Sequence, residues 1–393
     1  MDHQSFSEEE REIIETISRF VAKEVTPHVA EFERKKAYPE SIVAQMKELG
    51  LFGIAVPQEH GGLGLRLPVF AAVLEELSKG WSSLAAYINS HSTVAYAIGC
   101  FGTEAQKGRF LPAMATGEVR AALCLTEPEA GSDLQAIRST ALKHGDMFIL
   151  NGSKIYVTNG ARASLLLVLV KTDPKAEKPS RGISLLLVPK DLPGVSVTAE
   201  FEKMAFSLVD TVGISLESVA VPQELLLGSE EGKGFGQLMD ALEVGRIAIA
   251  ASAVGLASAA LAAAVRFAGD RKAFGKTINQ HQAIQLRLAD MATKLVAARQ
   301  ITHLAALEKD RGNRADMISA MAKLFASEAC VEIAQDSVRV HGGHGYITDY
   351  QVERLLREAM LYLVGEGTSD IQKLVISRRI QDGSESGTLG LPL

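Results

Sequence analysis

Near the end of this sequence one carboxylate stands between two glycines, in the stretch Tyr362-Leu363-Val364-Gly365-Glu366-Gly367-Thr368-Ser369-Asp370-Ile371-Gln372. Glycine on either side lets the backbone pass close to a ligand and adopt angles that other residues avoid. Glu366 follows the apolar run 361–364, where a carboxylate is poorly solvated. Loss of water raises a carboxyl pKa and suits the group to general-base work. Ser369 and Gln372 have capping-box spacing and Asp370 adds negative charge to a first turn, so a helix is expected to begin there. A bland alternative, a cap or a solvated loop glutamate, fits the same residues.

Four blocks surround this stretch in a fixed order. They are Leu125-Thr126-Glu127-Pro128-Glu129-Ala130-Gly131-Ser132-Asp133, Asn151-Gly152-Ser153-Lys154-Ile155-Tyr156-Val157-Thr158-Asn159-Gly160, Asp270-Arg271-Lys272-Ala273-Phe274-Gly275-Lys276, and His341-Gly342-Gly343-His344-Gly345-Tyr346 followed by Glu366 to Gln372. Together they resemble the acyl-CoA dehydrogenase family over roughly residues 5 to 382. The resemblance implies a FAD-dependent enzyme of fatty-acid metabolism and β-oxidation. It would convert an acyl-CoA to the trans-2-enoyl-CoA, Glu366 removing the α-proton while FAD N5 takes the β-hydride. Electrons would pass to an electron-transfer flavoprotein. Some members carry their base on a bundle helix at the position of Gly245; glycine cannot serve, which leaves Glu366.

By the same resemblance, Leu123, Leu125, Thr126, Gly131, Ser132, Tyr156, Val157 and Thr158 stand beside FAD, and Leu123 also lies near the thioester end. Tyr156 replaces a commoner Trp. Arg271, Phe274, Ile278 and Gln282 match a cluster that reaches a neighbouring subunit's FAD, where a guanidinium pairs well with pyrophosphate. Arg339 and Gly343 match positions near the adenosine, with Arg339 departing from the usual Gln; Thr368 and Asp370 complete the set. FAD contacts from two chains imply at least a dimer, and the family expectation is a homotetramer, a dimer of dimers. Ser132, Leu242, Glu243, Arg246, Gly365 and Gly367 match substrate-side positions. Arg246 opens an uncharged stretch, where a cation would oppose a helix dipole. The acyl pocket would draw on Tyr87, Asn89, Ser90 and His91, with Gly365 leaving room for a branched or cyclic group. Flavin-dependent monooxygenases share the fold but usually lack the glutamate; an acyl-CoA oxidase and a degenerate binding subunit are the other readings.

These residues need a scaffold, and the chain is long enough for several domains: 393 residues exceed what one core usually holds. Hydrophobic residues at 47% and charged residues at 22% describe an ordinary globular protein, and a net charge of −6 gives no reason to expect nucleic acid. Three widely spaced cysteines, Cys100, Cys124 and Cys330, form no metal or disulfide pattern and read as buried structural thiols. An acidic start without a signal or transit pattern points to a cytoplasmic setting.

The expected architecture is α+β and multidomain: an N-terminal helical domain over 1–120, a middle antiparallel β-domain over 121–231, a C-terminal four-helix bundle over 232–382, and a flexible tail over 383–393. Ser7 and Glu10 predict a helix start by capping-box spacing, and Thr26-Pro27 predicts its end. A helix over about 40–49 should stop at Gly50, and Pro112 and Gly117 should mark a boundary. Short apolar runs at 121–125, 147–150, 155–157, 165–170, 183–188, 195–197 and 212–216 predict strands. Four long helical patterns follow, over about 234–268, 279–309, 314–341 and 350–382, the last interrupted at Gly365. Residues 247–265 are uncharged and long enough to span a bilayer, but their Ala, Ser and Gly content suits a helix packed among others.

Overall fold

The computed structural model describes residues 6–385, which run as helices, then strands, then helices. Helix α1 (Glu8–Phe20) begins as its sequence predicts: the Glu10 N–H donates to Ser7 Oγ at 3.2 Å, and the Ser7 N–H donates to the Glu10 carboxylate at 2.8 Å. Thr26-Pro27 does not end the helical path. A π turn over 21–25 and a short 3₁₀ turn carry the chain into α2 (Val29–Lys35). Proline sits in the first turn of the resumed helix, where its missing N–H costs nothing. Helix α3 (Glu40–Glu48) stops before Gly50, at φ 71°. Helices α4 (Leu67–Gly80), α5 (Ser82–Phe101) and α6 (Glu104–Ala115) complete this part. Pro112 lies inside α6, and it is Gly117, at φ 70°, that turns the chain.

The middle strands are β1 (Ala121–Cys124), β2 (Thr140–His144), β3 (Met147–Thr158), β4 (Leu165–Lys171), β5 (Ile183–Pro189), β6 (Val195–Glu200) and β7 (Thr211–Pro222). They form one sheet in the order β1-β4-β2-β3-β7-β6, with β5 also pairing β4. Most pairings are antiparallel, but β1 runs parallel to β4, and β2 touches β4 in parallel as well, so the sheet is mixed. The chain leaves β1 and passes through the β2–β3 hairpin before β4 returns beside β1, a crossover that fixes the parallel sense. The two runs at 147–150 and 155–157 are one strand, since the polar residues between them continue to pair with β7.

A 37-residue helix, α7 (Gly234–Asp270), opens the bundle, followed by a small hairpin of β8 (Lys272–Ala273) and β9 (Lys276–Thr277). Helices α8 (Gln282–Asp310) and α9 (Asp316–His341) come next. The fourth pattern is two helices, α10 (Val352–Val364) and α11 (Ser369–Glu385), separated by the glycine turn around Glu366. Helix α7 is apolar and long enough to cross a membrane, but 78% of its most apolar window is buried inside the protein. Its neighbours are α4, α5, α8, α9 and α10. Small residues permit that packing: a Cβ on Gly255 would lie 2.2 Å from the Glu75 carbonyl of α4. Of the expected tail, 383–385 belong to α11, and 386–393 lie outside the described residues.

Candidate active site

The turn that carries Glu366 is left-handed at two residues, and not the two expected. Gly365 is ordinary extended backbone at φ −68°, whereas Glu366 itself has φ 54° and Gly367 φ 89°. A non-glycine residue in that region is strained and persists only when its surroundings hold it. Gln372 does so from α11, its Nε2 donating to the carbonyls of Glu366 at 3.2 Å and Gly367 at 3.0 Å. Lys323 Nζ, from α9, donates to the same Gly367 carbonyl at 2.8 Å. Because Gln372 is folded back onto the loop, it cannot close a capping box with Ser369. The cap is Thr368, whose Oγ1 accepts from the Ile371 N–H at 3.2 Å, and Ser369 Oγ is buried without a partner.

The Glu366 carboxylate is directed onto the bare α-carbon of Gly245 on α7. A Cβ there would lie 2.9 Å from Glu366 Oε2 and 3.1 Å from its carboxyl carbon. Burial pushes the Glu366 pKa up; the charges of Arg246 and Lys323 and a hydrogen bond from Asn89 of α5 pull against it. Arg246 is 6% exposed, burial lowers its pKa, and its Nε has no partner among the described residues. It lies well inside α7, so the helix-start conflict read from the sequence is absent. Leu242 and Glu243 are also buried on α7. Glu243 is engaged by Lys309 of α8 at 2.9 Å, and its pKa is raised by burial.

Lys323 has no part in the sequence-based expectation, and Asn89, expected at the acyl pocket, lies beside Glu366. The signal for Lys323 was a lone charge in the apolar run from Met317 to Ala326. Tyr87, expected at the acyl pocket, instead donates its hydroxyl to the Leu208 carbonyl and packs its ring against Tyr38. His91 is fully enclosed: its Nδ1 accepts from the Ala121 N–H, its Nε2 lies 3.1 Å from the Phe52 and Met114 carbonyls, and burial lowers its pKa to about 4. An added Cβ at Gly365 would meet only ordinary contacts with Leu361.

On the β-domain, buried Lys154 of β3 fixes the chain that follows β1. Its Nζ donates to the Leu125 carbonyl at 3.1 Å and to Glu127 Oε1 at 2.7 Å. Glu127 also accepts from the Arg138 and Ser139 N–H groups at 2.6 and 3.0 Å, and the Ile155 N–H reaches the Thr126 carbonyl at 2.8 Å. A register shift between Lys154 and Val157 bulges β3 and presents Tyr156, at φ 57° and 60% exposed, with its ring 5.1 Å from that of Phe201. Bulges of this kind re-aim a side chain. Leu123, Leu125, Thr126 and Thr158 are half-buried, Val157 is buried, and Gly131 and Ser132 are exposed. Next to Thr158, the buried Asn159 Oδ1 has no partner. Exposed hydroxyl and backbone donors beside an aromatic face suit a planar, polar-edged cofactor such as a flavin.

The remaining predicted residues lie elsewhere on the chain surface. Phe274, at the tip of the β8–β9 hairpin, is 96% exposed at φ 52°; Arg271 and Gln282 are exposed and Ile278 half-buried. Arg339 pairs with Asp336 at 2.9 Å, Gly343 is exposed, and Asp370 pairs with Lys373 at 3.2 Å. Among the described residues, no hydrogen bond or ion pair joins Arg271 to Gln282, or Arg339 and Gly343, to the Glu366 cluster. Cys100, expected to be buried, is exposed; Cys124 and Cys330 are buried.

The N-terminal, middle and C-terminal domain models of acyl-CoA dehydrogenase match residues 7–118, 122–219 and 232–381. A probable acyl-CoA dehydrogenase of Bacillus subtilis, YngJ, is 40% identical over 95% of this chain and 98% of that one. Butyryl-CoA dehydrogenase from Megasphaera elsdenii superposes with a TM-score of 0.92 at 33% identity, over 96% of this chain and 99% of the other. A chain in a structure of the electron transferring flavoprotein of Acidaminococcus fermentans gives 0.92 at 38%, with the same coverage. This chain belongs to the acyl-CoA dehydrogenase family. It is accordingly an oxidoreductase, a flavoprotein that uses FAD to dehydrogenate acyl-CoA.

Proposed function

We propose that Glu366 is the base that takes the α-proton of an acyl-CoA, yielding the trans-2-enoyl-CoA within β-oxidation. The observation that carries this is the carboxylate seated on Gly245, raised in pKa by burial yet faced by two cations. A base in such surroundings binds a proton more readily than an exposed carboxylate, and transfer onto it removes a poorly solvated charge. FAD, when bound, accepts the hydride that leaves the β-carbon. Arg246 keeps its charge as Glu366 is neutralised, so positive potential remains for the negative charge then developing on the thioester oxygen. Gly367 leaves the neighbouring backbone open to that oxygen.

Leu123, Leu125, Thr126, Gly131, Ser132, Tyr156, Val157 and Thr158 would hold the flavin from this chain. Arg271, Phe274, Ile278, Gln282, Arg339, Gly343, Thr368 and Asp370 would complete the FAD site across a subunit boundary. Ser132, Leu242, Glu243, Arg246, Gly365 and Gly367 would face the substrate. A nearly fully exposed Phe274 beside Arg271 favours a partner chain there, and the assembly proposed is a homotetramer, a dimer of dimers. Gly365, which carries no side chain where a Cβ would be tolerated, favours a branched or cyclic acyl group. Electrons would leave to an electron-transfer flavoprotein, a reading supported by the likeness to the Acidaminococcus chain. Three free cysteines among the described residues suit a reducing, cytoplasmic setting.

Anaerobic titration of the yellow protein with a panel of acyl-CoA thioesters tests the reading. Bleaching of the visible flavin band by some of them, lost in Glu366→Gln, is expected. No bleaching by any thioester despite bound FAD would overturn it.

A further inference from the structure

One buried cation in this cluster, Lys323, has its hydrogen bond on the loop that carries Glu366. Its side chain is wholly enclosed on α9, beside Ala320, Ala322, Ala326 and Ser327, all buried. Enclosing an ammonium costs several kcal/mol unless partners compensate, so a lysine retained there needs a compensating role. Among the described residues its hydrogen bond goes to the Gly367 carbonyl, the far side of the strained pair that carries the base. Gln372 grips the same carbonyl from α11, so the turn is clamped by two donors from two helices.

The charges around the cluster come from several elements. Arg246 on α7 and Lys323 on α9 act on Glu366, and the Asn89 amide on α5 also favours its ionised form. Lys323 in turn is influenced by Glu366 and Glu328, which favour its charge, and by Arg246, which opposes it. Arg246 is also within the influence of Glu243 and Asp316. Glu243 is already engaged by Lys309 and Asp316 by Arg379, the latter pair at 2.6 Å, which leaves Glu366 facing two cations.

We propose that Lys323 is a positioning residue for Glu366. Its ammonium anchors the left-handed Glu366–Gly367 turn through the Gly367 carbonyl, holding the carboxylate over Gly245, and its charge helps to keep the base ionised in an enclosed site. Two separable contributions follow, one of geometry and one of charge. This rests on the reading of Glu366 as the base. Burial lowers the Lys323 pKa to about 8, so the charge contribution is present at neutral pH and fades above that value.

The test is the pH dependence of flavin reduction in single-turnover anaerobic mixing, with an acyl-CoA that bleaches the wild-type protein. Two variants divide the contributions. Lys323→Gln keeps a donor for the Gly367 carbonyl and drops the charge; Lys323→Met drops both. In both, the acid limb that reports ionisation of Glu366 should move up by about one pH unit, the scale of losing one nearby opposite charge. Lys323→Met should in addition lower the plateau rate by about tenfold, the turn being less firmly held. FAD content and acyl-CoA affinity should stay within about twofold of wild type, since the buried Lys323 ammonium is bonded to the Gly367 carbonyl. An unmoved acid limb in FAD-loaded Lys323→Gln would overturn the proposal, and if Lys323→Met fails to fold, Lys323→Gln alone decides it. Persistent bleaching in Glu366→Gln would instead remove the base reading beneath it, so the two failures are distinguishable.

Discussion

Two glutamates in this protein lie beside a buried lysine, Glu127 buried and Glu366 half-buried, and they behave in opposite ways. Glu127 in the β-domain accepts hydrogen bonds from Lys154 and from two backbone N–H groups. Burial alone would raise its pKa, but the charge of Lys154 and these donors win, and the carboxyl is held below the ordinary range. Glu366 has similar charges in view, yet among the described residues no hydrogen bond to its carboxylate matches those on Glu127, the Asn89 amide favours its charge only weakly, and burial wins. Lys323 spends its hydrogen bond on a backbone carbonyl rather than on the carboxylate. A satisfied carboxylate is a structural joint; one left short of donors in the same setting keeps its basicity. Hydrogen-bond satisfaction, more than the presence of a lysine, separates the two.

The largest effect that would test this contrast is on rate. Glu366→Gln should slow flavin reduction by about 10²- to 10⁴-fold, the span usual for a general base, while FAD remains bound. Lys154→Met should act on stability instead, lowering it by about 3–5 kcal/mol because Glu127 is left buried without its cation; thermal unfolding and FAD retention would read this. If Lys154→Met were as stable as wild type, the two sites would not differ as described.

Gly245→Ala should cost about 10²-fold in reduction rate, since its Cβ would push the Glu366 carboxylate by roughly an ångström; unchanged rates would show that the seat on Gly245 is unimportant. The pH responses should have opposite signs. Stability contributed by Glu127, whose folded pKa is depressed, is present above its unfolded pKa and lost as pH falls through the folded value. Any contribution from Glu366, whose folded pKa is raised, is present below its unfolded pKa and lost as pH rises through the folded value. Activity should rise over that latter interval, because the base must be ionised, and a pH–rate profile set against acid unfolding separates the two. The smallest effect concerns the cap: Thr368→Ala should destabilise the α11 start by about 1 kcal/mol, whereas Ser369→Ala should be close to neutral.

Much of this was legible in the residues. The change of periodicity from helix to strand and back is a local property, and so are the Ser7 cap and the stop at Gly50. Glu366 was singled out because a charge in a glycine turn after an apolar run is visible without a fold. The misreadings were of a different kind. Thr26-Pro27 was read as a stop because proline's missing donor is visible in sequence, whereas its harmless place in the next first turn is not. Ser369 has the spacing of a cap, but the choice between it and Thr368 depended on Gln372 turning toward the loop.

By itself, then, the sequence determined which segments are helical or extended, where the charges fall, and that one carboxylate lies in a flexible-looking turn. These follow from local sterics and from the period of apolar residues, which each segment carries alone. Only the tertiary structure decided that Glu366, and not its glycine neighbour Gly365, takes the left-handed backbone. It also decided that Gly245 on a helix more than a hundred positions away makes room for the carboxylate, and that Lys323 and Asn89 converge there. Solvation and hydrogen bonding depend on which atoms from distant segments come within a few ångströms, and that is fixed by packing.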